Sequence, residues 1–175
     1  MNTRGFGATT ARELLARAAH EIADLEHASR THFDSEDEAK NKVGSRAAAC
    51  VGTLWNIVDW LEQSEDPATR LALQVAGLAG EKAVRDYVMA ASPDLKLCWE
   101  LTNGYKHSKL KGHSLKESQI EEALLSAPPM FVPQSSVRRF VPKAVISATR
   151  ERLHVIEVCQ RVLTFWQEFF ERVGL

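Results

Sequence analysis

Helix-breaking residues are gathered in one part of this chain. Four of its six prolines fall between Pro128 and Pro142, and the other two, Pro67 and Pro93, each sit just behind a residue able to cap a helix. Proline lacks the backbone donor and clashes with the preceding turn, so it suits the first position of a helix and disrupts an interior. A chain punctuated this way can be helical along most of its length and irregular in one insertion. With 175 residues and 45% hydrophobic content it can bury a substantial core. The expected class is all-α: an up-and-down bundle of about five helices, read as a single helical domain over 1–175, with an irregular or short-β insertion at 110–145 before the last helix.

The helix boundaries follow from capping residues and apolar periodicity. Thr10 with Glu13 forms a capping box ahead of Leu14, Ala18, Ile22 and Leu25, which recur at helical spacing until about Ser29. Ser35 with Glu36, Asp37 and Glu38 opens a second helix, whose apolar face carries Ala47, Cys50, Val51, Leu54, Trp55, Val58 and Leu61 opposite Arg46, Asn56, Asp59 and Glu62. Asp66-Pro67 starts a third, expected to continue to about Ala91, with Gly77 and Gly80 in its middle suggesting a close helix crossing, as Gly44 and Gly52 do in the second. Ser92-Pro93 starts a fourth. The last is expected from about Ser147 to Arg172 with two apolar seams, so that it is either the central helix or buries one seam against a partner, most simply in a two-fold homodimer. Within the insertion, 130–132 and 137–141 are the candidate short strands.

Composition excludes several classes. Lys and Arg total 22 against 23 Asp and Glu, a net charge of -1, so the chain as a whole has no basic footprint for nucleic acid and any such binding must be local. Cys50, Cys98 and Cys159 are odd in number and embedded in apolar helical pattern, which reads as reduced buried thiols of a cytoplasmic protein. No run approaches the roughly 18 apolar residues of a membrane span, and Met1 to Gly7 has no signal-like apolar core. No glycine-rich phosphate loop, Cys-x-x-Cys pair or Glu-x-x-His pair occurs, so no cofactor is expected. His20, Asp24 and His27 share one helix face at a spacing that can present metal ligands, but no fourth ligand accompanies them and no metal is assigned.

Chemistry is densest in Leu101-Thr102-Asn103-Gly104-Tyr105-Lys106-His107-Ser108-Lys109, at the end of the fourth helix. Asn103 and His107, four residues apart, share a face, with Tyr105 at its edge and Lys106 turned away. Lys106, Lys109 and Lys111 with Arg138 and Arg139 could form a local basic patch. The candidate binding residues are therefore Asn103, Tyr105, Lys106, His107 and Lys109, with His107 the single catalytic candidate. The alternative for Lys106, His107 and Lys109 is plain helix chemistry, cations placed at a negative C-terminal end.

The pattern Asn103-x-x-Lys106-His107, followed by a variable insertion and a last helix bearing Phe165-Trp166 and Phe169-Phe170, resembles bacterial proteins of the HEPN type, the nucleotide-binding domain of higher eukaryotes and prokaryotes. Active members of that superfamily are metal-independent ribonucleases, in which an Arg four to six intervening residues before a His stabilises charge on the phosphate while the His moves a ribose proton. Aligning His107 with that His puts Thr102 where the Arg should stand. The resemblance thus implies a helical, dimeric protein without the full catalytic pair, binding RNA, nucleotide or a protein partner; the alternatives are a ribonuclease using His107 and a dimeric interaction module with no nucleic-acid role.

Overall fold

Four of the helices begin behind a polar side chain placed to satisfy backbone donors that have no partner inside the helix. The computed structural model describes residues 10–31, 33, 35–107, 118–126, 140–148 and 151–175. In α1 (Ala11–Arg30) the capping box forms as expected: Thr10 Oγ1 accepts from the Glu13 N–H and Glu13 accepts from the Thr10 N–H, both at 3.1 Å. Ser35 caps α2 (Glu36–Gln63), and Asp66 caps α3 (Pro67–Val75) with Pro67 in its first turn. The Asp66 carboxyl lies below its ordinary pKa because the Thr69 hydroxyl and N–H both donate to it. Ser92 Oγ accepts from the Leu95 N–H at 3.2 Å to open α5 (Pro93–His107).

The third helix departs from expectation. It ends at Val75, and a separate α4 (Ala83–Ala91) follows. Between them Gly77 and Gly80 take φ of 73° and 133°, and Lys82 is left-handed at 65°. A left-handed residue ends a helix, and here the Leu78 N–H returns to the Leu73 carbonyl at 2.8 Å to close the turn. A methyl group added at Gly52, Gly77 or Gly80 would meet nothing within 4 Å. These glycines therefore do not mark the close helix crossings that their size suggested; Gly77 and Gly80 serve backbone conformations that side chains disfavour.

The insertion adopts the short-β alternative. Strands β1 (Ser118–Ser126), β2 (Phe140–Ala148) and β3 (Glu151–His154) form an antiparallel sheet in the order β1-β2-β3. Ser118 pairs with Ala148 and Ser126 with Phe140, while β3 covers only Val145 to Ala148. Pro142 thus falls in the half of β2 that is laddered on one side only, where a missing N–H is tolerable. Of the expected strands, 130–132 and 137–139 lie outside the described residues, and 140–141 begin β2. The last helix, α6 (Val155–Val173), starts later than the expected Ser147, because 147–148 and 151–154 are committed to strand pairing.

The body is an all-α bundle of six described helices rather than about five. Helix α2 packs against α1, α4, α5 and α6 and meets the sheet through β1 and β2; α6 also lies against α1 and α5. The wide apolar stripe of α6 is explained within one chain: Val155, Val158, Cys159, Val162, Trp166, Phe169 and Phe170 are all buried, with Ile156, Leu163 and Phe165 packed at the core's margin. Most of both seams is thus covered by this chain's own α1, α2 and α5. No helix among the described residues is long and apolar enough to cross a membrane.

Candidate functional site

Helix α5 carries the stretch in which the sequence concentrates its chemistry, and the helix is held at both faces. Leu95, Leu97, Cys98 and Leu101 are buried, the Trp99 ring lies 6.4 Å from that of Trp55 on α2, and Asp94 accepts both arms of the Arg161 guanidinium on α6 at 2.8 and 3.0 Å. That paired carboxylate raises the Arg161 pKa. The helix also touches β1.

On α5 the side chains are described as far as Asn103. Thr102 is only 7% exposed, its hydroxyl oxygen fully enclosed without a hydrogen-bond partner, and Asn103 is half-buried. Helix α5 extends through His107, so Asn103 and His107 do stand one turn apart, on the same side of the helix. Tyr105, Lys106 and His107 are described through their backbone alone, and Lys109, Lys111, Arg138 and Arg139 lie outside the described residues. A helix C-terminus favours cations in its last turn, which is the alternative the sequence offers for Lys106 and His107.

A second charged group, on a face of α2 whose residues suggest solvation, is built into the fold. Arg85 Nη2 reaches Asp59 at 3.0 Å and Glu62 at 3.1 Å, and its guanidinium lies 5.8 Å from the Trp55 ring centre. Glu62 also accepts from the Arg85 backbone N–H at 3.1 Å. Lys82, which precedes α4, offers no side-chain cap, so a carboxylate from α2 does the capping across the interface. The signal in the sequence was the spacing of Asp59 and Glu62, three apart on one face, but nothing there identified Arg85 as their partner.

On the His20, Asp24 and His27 face of α1 the two histidines are exposed and Asp24 is half-buried. His20 Nε2 stands 4.0 Å from Asp24, whose carboxylate is also approached by Arg46 at 3.3 Å, and no group of three or more metal-ligating side chains occurs among the described residues. A shallow groove of about 410 Å³ runs along α6 past Glu157, Arg161, Phe165 and Glu168. Its described lining comes from that one helix, so no polar groups converge across it, unlike a typical ligand site.

The three cysteines, on α2, α5 and α6, are free and buried. Burial, with the Asp94 charge and Cys50 adding to it, pushes the Cys98 thiol up to about 12; Cys159, hydrogen-bonded to Cys50, is raised as well. All three sulfurs are enclosed, so they should be silent toward a disulfide reagent in the native protein and all react on denaturation. Below the unfolded thiol's pKa near 9 both states keep the Cys98 proton and stability does not depend on it. Above that pH the unfolded chain releases the proton and the folded one holds it, so stability falls until about 12, at up to ~1.4 kcal/mol per pH unit. Alkaline titration of the urea midpoint, compared with Cys98→Ala, measures this; equal slopes in the two proteins would refute it.

Comparison with protein-family models, with curated proteins and with solved structures gives no match.

Proposed function

We propose that this chain is a HEPN-like helical protein of the bacterial cytoplasm that binds RNA or nucleotide at the end of α5 without cleaving it, through Asn103, Tyr105, Lys106, His107 and Lys109. One observation carries the non-catalytic part. Thr102, at the position where the resemblance calls for Arg, is 7% exposed with its hydroxyl enclosed. A guanidinium there would be taken out of water rather than offered to a phosphate. Lys106, one helical turn further on, is the nearest cation along the helix, but an ammonium lacks the planar fork that grips a phosphate in two places. Three free buried thiols agree with a reducing compartment.

The test is a labelled mixed RNA pool incubated without metal with wild type, His107→Ala and Lys106→Ala, with cleavage and retention scored together. The expected result is intact RNA, retained by wild type and several-fold more weakly by either variant. Lys106→Ala should also flatten the salt dependence of binding by close to one phosphate contact. Cleavage that disappears with His107 would establish the ribonuclease instead; no retention by wild type would remove the nucleic-acid reading altogether.

A second reading, the dimeric interaction module, is favoured by α3. Leu71 and Val75, one turn apart on that helix, are 61% and 82% exposed, the large apolar side chains most open to water among the described residues. On this reading a second copy covers them. Sedimentation of wild type should then give a dimer and Leu71→Lys/Val75→Lys a monomer with unchanged helical content. A wild-type monomer at tens of micromolar would dispose of it.

A further inference from the structure

We draw no further inference here: the strongest candidate, the side-chain cluster of Cys50, Cys98 and Cys159 between α2, α5 and α6, carries nothing because its one chemical indication, the raised thiols of Cys98 and Cys159, makes those two sulfurs inert rather than reactive.

Discussion

Trp166→Ala is expected to destabilise the fold by about 4 kcal/mol, a large share of the roughly 5–15 kcal/mol by which an ordinary domain is stable. The side chain is completely buried at the centre of the bundle. Its ring packs at 5.5 to 5.8 Å from those of Phe165, Phe169 and Phe170, edge-on to the first two, and its indole Nε1–H donates to the Leu54 carbonyl on α2 at 3.1 Å. Truncation to alanine removes the apolar contact and leaves a cavity between two long helices that cannot both collapse into it. Trp166→Phe separates the contributions: it keeps most of the ring and loses the hydrogen bond, which costs about 1 to 2 kcal/mol. Urea denaturation followed by far-UV circular dichroism measures both. An alanine variant within 0.5 kcal/mol of wild type would mean that Trp166 is not packed in the core.

How far that outcome could be foreseen from sequence depends on the element. For α1, α2, α3 and α5 the starts were legible because capping is local chemistry: Thr10, Ser35, Asp66 and Ser92 act on donors two or three residues away. The two-seamed pattern of α6 was equally legible as a wide buried stripe, but sequence could not say whether this chain or another covered it. The answer needed the packing of α1, α2 and α5 around it. The split between α3 and α4 was missed because Gly77 and Gly80 have two meanings in a helical pattern, a close crossing or a left-handed turn, and periodicity does not distinguish them. The late start of α6 was missed because Ala148, Glu151, Arg152 and Leu153 are good helix formers, yet 147–148 and 151–154 are taken into the strand ladder, a pairing that helical propensity does not reveal.

The candidate site was legible as composition and only partly as geometry. Helical spacing was enough to put Asn103 and His107 on one face, since both lie in a single helix. That Thr102 turns into the core depends on which face of α5 meets α2, and no local rule supplies it. The same limit hid the Arg85 cluster. Asp59 and Glu62 lie on the margin of the apolar stripe of α2, where solvation and partnership look alike until α4 is placed beside them.

That cluster supplies the second large effect. Glu62→Ala is expected to cost about 3 kcal/mol and Arg85→Ala about 2 kcal/mol, the difference being the cap that Glu62 provides to α4. Removing Arg85 strands the carboxylates of Asp59 and Glu62, which are 34% and 14% exposed, so water relieves much of the first and less of the second. The Arg85→Ala variant still has a backbone N–H at position 85, and Glu62 can still accept from it. Removing Glu62 takes away both bonds at once, frees the first turn of α4, and leaves the Arg85 guanidinium with Asp59 alone, its Nε already enclosed without a partner. Native-state hydrogen exchange distinguishes the two losses, because about 1.4 kcal/mol of local protection corresponds to a tenfold change in rate. In Glu62→Ala the amide at position 85 should exchange at least tenfold faster than its counterpart in Arg85→Ala, after both are corrected for global stability. Equal exchange in the two variants would show that the first turn of α4 is held by its apolar contacts, Val84 and Val88 against α2, and that the carboxylate contributes only through the ion pair.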